Sequence, residues 1–304
     1  MPDATLLPIV PRDDLWLFFE SFLMRWEGSN TQASYRQDLM IFTQWCEQYG
    51  LHPIADIKRT HLELYMWYLK DDRKNAPSTI SHRIGTLSQM YELAIDDELI
   101  AKNPARLVRR PKAHVDQGRR VALTREETQR LVRAAYDSSP TDHALIVLMA
   151  YLGLRVSEAC ELDIADCLHV AKAHRCLRFV GKGDKLALIP QPPAVMRAID
   201  AAIAGRTEGP LLLRRDGSRM TRRSADRVVK RCAKAVGITG NISPHVLRHG
   251  FIVGSIDAGV PIRQVQLSAR HSDITTTIKI YDRGRANLDT HSAHALAAWL
   301  GSVA

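Results

Sequence analysis

The sequence predicts a mainly α-helical protein with a small β-sheet, in which an N-terminal helical bundle precedes a second domain of α+β type. Three observations predict it. Apolar residues recur at helical spacing in four successive stretches of the first hundred residues. A basic segment from Arg109 to Arg120, broken by Pro and Gly, shows no apolar periodicity. Beyond it, two runs of strand character, Arg175 to Val180 and Leu186 to Pro190, flank Gly181-Lys182-Gly183-Asp184.

In the first stretch Leu15, Phe18, Phe19, Phe22 and Trp26 share one helical face. Asn30 or Thr31 caps a second helix, whose apolar face is Tyr35, Leu39, Phe42, Cys46 and Tyr49, and Gly50 ends it. Thr60 and Glu63 form a capping box for a third, with Leu62, Tyr65, Met66 and Leu69 inward. Ser78 opens a fourth, striped by Ile80, Ile84, Leu87, Tyr91 and Ala94. Four amphipathic helices of this length make a small bundle. Its polar faces carry Arg36, Lys58, Arg59, Ser78, Ser81, His82 and Arg83, which on composition alone is a solvated face. Asn103-Pro104 stops the fourth helix or starts a short extension.

The expected organisation is a bundle over 1–108, a linker over 109–122 and a second domain over 123–304. The linker contains Arg119 and Arg120, and ten of its residues, extended, reach about 30 Å, enough to pass around one side of a duplex. Thr124 and Glu127 form the capping box that opens the second domain. The apolar run Ala144–Leu154 reads as a buried helix that delivers Arg155, with Glu158 three residues on to pair with a cation. Gly181-Lys182-Gly183-Asp184 is a hairpin turn with Lys182 at its tip and Lys185 as its neighbour. Thr221 to Val236 is helical and basic, with Arg222 and Arg223 at its start, and Gly237 and Gly240 break it.

Ser243 and Pro244 suit the N-cap and first position of a helix that sets His245 and Arg248 three apart on one face. A helix N-terminus presents free N–H groups and a positive dipole, a seat for phosphate. His271 and Tyr281 follow, a second imidazole and a phenol able to act as a nucleophile. Asp289 or Thr290 caps a last helix, whose Leu296, Trp299, Leu300 and Val303 form one apolar stripe.

Composition narrows the class. At 304 residues two domains are expected, and 45% hydrophobic residues argue against extensive disorder. A net charge of +9 favours a polyanionic partner. The five cysteines are odd in number and lack C-x-x-C spacing, so neither a disulfide framework nor a zinc ribbon is indicated, and a reducing cytoplasm is expected. No leader, membrane span or internal repeat is read. His245 and His249 are four apart, but the zinc-protease pattern needs a Glu between them and Val246-Leu247-Arg248 stands there. Neither an acidic metal cluster nor a phosphate-cradling loop is present, so no metal and no cofactor is expected.

Gly153-Leu-Arg-Val-Ser-Glu158, Gly181-Lys-Gly-Asp-Lys185, the His245-x-x-Arg248 pair, Ala269-Arg-His-Ser-Asp273 and Ile278-Lys-Ile-Tyr-Asp-Arg283 stand in that order. With them the chain resembles the tyrosine recombinases, or phage-integrase family, and its Xer-type members most. The resemblance covers nearly everything from about Trp16 onward. It implies a core-site-binding bundle and an α+β catalytic domain. It implies Arg155 and Arg248 as active-site arginines, Lys182 as the hairpin lysine, His245 and His271 as the histidines, and Tyr281 as the nucleophile.

What the resemblance further implies is strand cleavage through a 3′-phosphotyrosine and exchange between two short DNA core sites through a Holliday junction. The partners implied are double-stranded DNA, a tetramer of this chain docked by its tail helix, and a related recombinase or accessory protein. The far side of the duplex would face Arg36, Lys58, Arg59, Ser81, His82 and Arg83, with Arg119, Arg120, Arg222 and Arg223 near phosphates. The chain starts almost directly at its bundle, which favours a simple, short core site. The alternatives are a type IB topoisomerase and a non-catalytic DNA-binding protein on the same scaffold. One position departs from the family pattern: Arg270 stands where Gly usually precedes the second histidine, which puts the local turn in question.

Overall fold

The computed structural model describes residues 14–111, 122–181, 185–282 and 292–301. They fall into two compact units, 1–115 and 116–304.

The first unit holds α1 (Leu15–Met24), α2 (Asn30–Gln48), α3 (Arg59–Asp71) and α4 (Pro77–Asp96). Their predicted stripes meet in one core, where Phe22, Phe42, Leu62, Tyr65, Leu69, Ile84 and Tyr91 are wholly buried. Phe42 and Trp45 both pack on the Tyr65 ring, with centroids 5.1 and 5.2 Å away. The Tyr91 hydroxyl donates to the Pro53 carbonyl at 2.8 Å, which satisfies it inside that core.

The helix starts differ from expectation in three places. Ser29, not Asn30 or Thr31, caps α2, its hydroxyl accepting from the Gln32 N–H. Lys58 rather than Thr60 is the N-cap of α3, and its N–H donates to His61 Nδ1 at 3.2 Å. Pro77 is the first residue of α4, a position where its missing N–H costs nothing, so Ser78 lies inside the helix. Tyr49, expected inward, is 59% exposed because α2 has ended at Gln48 and Gly50 turns the chain.

The second unit begins at the predicted capping box: Thr124 accepts from the Glu127 N–H, and Glu127 from the Thr124 N–H. It contains α5 (Arg125–Ser138), α6 (Pro140–Leu152), α7 (Val156–Glu161), α8 (Ile164–Cys167), β1 (His169–Ala171), β2 (His174–Gly181) and β3 (Lys185–Pro190). Then follow α9 (Pro193–Ile203), α10 (Arg222–Ala235), α11 (Pro244–Asp257), α12 (Ile262–Ala269), α13 (Ile274–Asp282) and α14 (Ser292–Leu300). Helix α6 is apolar nearly all round and accordingly central: Ala144, Leu145, Ile146, Leu148 and Met149 are wholly buried, with α5, α9 and α11 against it.

The sheet is antiparallel in the order β1-β2-β3, with Gly181 opposite Lys185 and Phe179 opposite Ala187. The hairpin is therefore as expected, although its tip, Lys182 to Asp184, lies outside the described residues. Strand β1 was not expected; three residues are too few to show an alternation. No described helix is long and apolar enough to cross a membrane. The linker residues Arg119 and Arg120 and the caps Asp289 and Thr290 also lie outside the described residues.

Candidate active site

The site starts at the end of α6. Gly153 ends that helix at φ +59°, a left-handed conformation that glycine adopts without strain. A Cβ there would stand 2.3 Å from Phe251 of α11, so the position has no room for a side chain. The turn delivers Arg155 as the N-cap of α7. Its N–H donates to Glu158 Oε2 at 2.8 Å and its Nη1 to Oε1 at 2.6 Å. Its Nη2 reaches the carbonyl of Arg270 at 3.3 Å. Glu158, expected to pair with a cation, pairs with two: Arg270 Nη2 lies 2.7 Å from Oε2. Burial acts to raise the Glu158 pKa, but the Arg270 charge and the bonds from Arg155 outweigh it and hold the carboxyl below its usual range.

Arg248 enters from the first turns of α11. Ser243 occupies the N-cap position as expected, although its hydroxyl makes no cap hydrogen bond. The Arg248 side chain is buried and donates to the carbonyls of Gly153 and Ala269. Burial, together with the charges of Arg155 and Arg270, pushes its pKa down to about 9. His245, one turn earlier, is exposed, and its ring lies 6.4 Å from that of His249.

The third approach is the α12–α13 turn. Arg270 is the C-cap of α12 at φ +57°, and its N–H is held by the Gln266 and Leu267 carbonyls. The turn is thus kept with arginine in a place that suits glycine. His271 follows, its Nδ1 hydrogen-bonded to Thr277 Oγ1 at 3.0 Å and its carbonyl accepting from Gln266 Nε2 at 3.0 Å. Burial, then Arg248 and Arg155, push the His271 pKa down to about 4. Thr277 is wholly buried on α13, one turn before Tyr281, so the histidine is tied to the helix that carries the tyrosine. Ile280 anchors that helix beside Ile252, Val265 and Ala269.

Arg155, Arg248 and His271 therefore converge, joined by Glu158, Arg270 and Thr277. Sequence reasoning assigned no role to Thr277 or to Arg270. A Thr in a Thr275-Thr276-Thr277 run carries no signal, whereas an arginine at a glycine-type turn was visible as an oddity. Lys182 lies outside the described residues, and Lys185 is the first residue of β3. Among the described residues no group of three or more His, Cys, Asp or Glu is placed to hold a metal ion.

The residues expected to face DNA are more varied. Arg222 and Arg223 are exposed in the first turn of α10. Arg36 makes a bidentate pair with Glu20, and Arg59 pairs with Glu63 at 2.5 Å, both at exposed positions where such pairs are weak. Lys58 is exposed and Ser81 half-buried. His82 is exposed beside Ser34 Oγ, at 3.1 Å. Arg83 is not on the open face: its side chain is 12% exposed and turns in toward the buried Asp38 carboxylate, 3.6 Å away. Burial raises the Asp38 pKa, against the Thr86 hydroxyl that donates to it at 2.8 Å.

A two-unit helical chain whose second unit gathers two arginines and a histidine near a helix-borne tyrosine defines a class, and comparison with known proteins agrees. Residues 122–287 match the phage integrase family, and residues 19–101 match the N-terminal SAM-like domain of phage integrases. The chain belongs to the phage integrase family. It is 30% identical over 277 residues to tyrosine recombinase XerD of Mycobacterium leprae, covering 82% of this chain and 85% of that protein. The fold is similar to the Tn1549 transposon integrase in complex with circular intermediate DNA, with TM-score 0.71 and 22% identity, covering 92% of this chain and 98% of that one. It is also similar to lambda integrase in a tetramer bound to a Holliday junction, with TM-score 0.69 and 20% identity, covering 89% and 78%. The chain is a tyrosine-type site-specific DNA recombinase, a DNA strand transferase. The topoisomerase and non-catalytic readings are not favoured.

Proposed function

We propose that Tyr281 attacks a DNA phosphodiester held by Arg155, Arg248 and His271, and that strand exchange between two core sites follows. The observation that carries this is the convergence of two guanidiniums and an imidazole at the turn after α12, where Arg155 of α7 reaches the Arg270 carbonyl, Arg248 of α11 the Ala269 carbonyl, and His271 follows. Burial and then mutual repulsion depress the pKa of Arg248 and of His271, so these groups favour added negative charge. A phosphodiester supplies it, and guanidinium geometry suits its two non-bridging oxygens.

In this reading the Tyr281 oxygen bonds to phosphorus as the bond to the 5′ oxygen breaks. Lys182 gives that oxygen a proton, and His245 accepts the tyrosine proton or donates in turn. A 3′-phosphotyrosine and a free 5′-hydroxyl result. A 5′-hydroxyl from a second strand then reverses the step on a new partner, without ATP or metal.

The bundle is assigned to the far side of the duplex, where Arg36, Lys58, Arg59, Ser81 and His82 have the exposure or polarity to meet it; Arg83 acts there only if it leaves Asp38. Arg119, Arg120, Arg222 and Arg223 are assigned to phosphates nearer the catalytic unit. The division into a bundle over 1–108, a linker over 109–122 and a catalytic domain over 123–304 belongs to this proposal.

Four copies on two sites, with a related recombinase or accessory protein where the site requires one, complete the assembly, which acts on the nucleoid in the cytoplasm. Leu296 and Leu300 of α14 are 55% and 60% exposed, which supports a tail that docks on a neighbouring protomer. The test is a pair of assays on the bound core site. Exchange between two linear sites, through a junction intermediate, is expected. Relaxation of supercoiled DNA with no exchange would assign the chain to the topoisomerase reading instead.

A further inference from the structure

Arg270 is the least expected side chain of the site. It stands at φ +57° and ψ +44°, a left-handed conformation that is uncommon for residues other than glycine. The guanidinium is not left in water: the side chain is 17% exposed. Its Nη2 donates to Glu158 Oε2 at 2.7 Å and approaches the Gly153 carbonyl at 3.4 Å, and its Nη1 donates to the Ser268 carbonyl at 3.0 Å. The group lies 5.8 Å from the centre of the Phe179 ring, on β2. Its Nε is buried without a hydrogen-bond partner, so the placement is not set by satisfying every donor.

The partner it shares is what gives this consequence. Glu158 is the carboxylate that grips Arg155, through Oε1 to the side chain and Oε2 to the backbone N–H. A buried carboxylate with one guanidinium neutralises it and competes with any phosphate for its donors. With a second guanidinium on Oε2 that carboxylate is already compensated, and Arg155 stays oriented while its charge remains available. We propose that Arg270 is a positioning residue, which holds Glu158 through Oε2 and thereby keeps Arg155 aimed at the reacting DNA phosphate. This rests on Arg155 as a phosphate ligand.

The experiment uses the full chain and a nicked core-site duplex that traps the covalent complex. Arg270→Gly removes the guanidinium and relieves the left-handed turn, so the thermal midpoint is expected to hold or rise. Single-turnover cleavage is expected to fall on the order of tenfold or more, with half-site Kd and its salt dependence unchanged. Arg270→Lys is expected to regain part of the rate. In a Glu158→Gln background Arg270→Gly is expected to cost nothing further, because its route is through that carboxylate. Wild-type cleavage by Arg270→Gly, an equal loss in both backgrounds, or a weakened salt dependence of binding would each overturn the proposal. An Arg155→Ala variant run alongside keeps the two readings apart: if it cleaves normally, the assignment of Arg155 fails, whatever Arg270 does.

Discussion

Arg248 donates through Nη1 to the carbonyl of Gly153, a residue 95 positions earlier in the chain. Its Nη2 donates to the Ala269 carbonyl. One buried guanidinium thus ties together the two left-handed turns, at Gly153 and Arg270, that deliver Arg155 and His271.

Gly153→Ala is therefore expected to damage fold and activity together. The left-handed backbone and the 2.3 Å approach to the Phe251 ring should cost about 2–5 kcal/mol in total, read as a lower midpoint in chemical denaturation. A change within about 0.5 kcal/mol, the range of ordinary surface substitutions, would show that α11 can retreat freely.

His271 gives a pH dependence with a definite sign. Its folded pKa is about 4, against 6.5 for an unperturbed imidazole, so the unfolded chain binds the extra proton between those values. The DNA-free protein should lose stability as pH falls through that window. Thermal melts of His271→Gln should show a shallower loss than wild type, and parallel curves would contradict the depressed pKa. A bound phosphate should raise the same pKa, so DNA binding should take up protons near the lower end of the window.

Much of this was legible in the sequence because period and punctuation agree in it. The stripe Ile80, Ile84, Leu87, Tyr91, Ala94 is buried as its spacing requires, and Thr124 with Glu127 forms the cap their spacing suggests. Helix starts near Thr60 and Ser78 were misplaced by a residue or two, since backbone geometry and Pro77 chose the cap over the better side chain. The site was legible as an order of motifs, not as a geometry. Nothing local in Arg83 says that it turns in to Asp38, 45 positions away, nor does Thr277 announce its bond to His271. Those are decided by what the packing of other elements leaves for a polar atom to meet.

The assignment of the hairpin lysine predicts a chemical rescue. Lys182→Ala should stall at cleavage, and replacing the bridging 5′ oxygen with sulfur, a better leaving group, should restore it. If sulfur rescues Lys185→Ala and not Lys182→Ala, the proton donor is the β3 residue. Chelators should alter neither result.

The tail makes a prediction about assembly. Deleting residues 289–304 removes α14 and its exposed leucines, each of which gains roughly 1.5–3 kcal/mol on full burial. Binding to a single half-site should survive, while cooperative binding and pairing of two sites should be lost. A truncated chain that still pairs two sites at wild-type concentrations would show that the tail serves only its own protomer.

The central claim is that Tyr281 is the group that becomes joined to DNA, and it is tested by trapping that bond. A nicked core-site duplex incubated with wild type should leave a protein–DNA adduct on a denaturing gel. The labelled peptide should contain Tyr281 on the 3′-phosphate, with a free 5′-hydroxyl opposite. Tyr281→Phe should bind the same duplex with unchanged Kd and form no adduct. An adduct that persists in Tyr281→Phe, or that maps to another residue, would contradict the account.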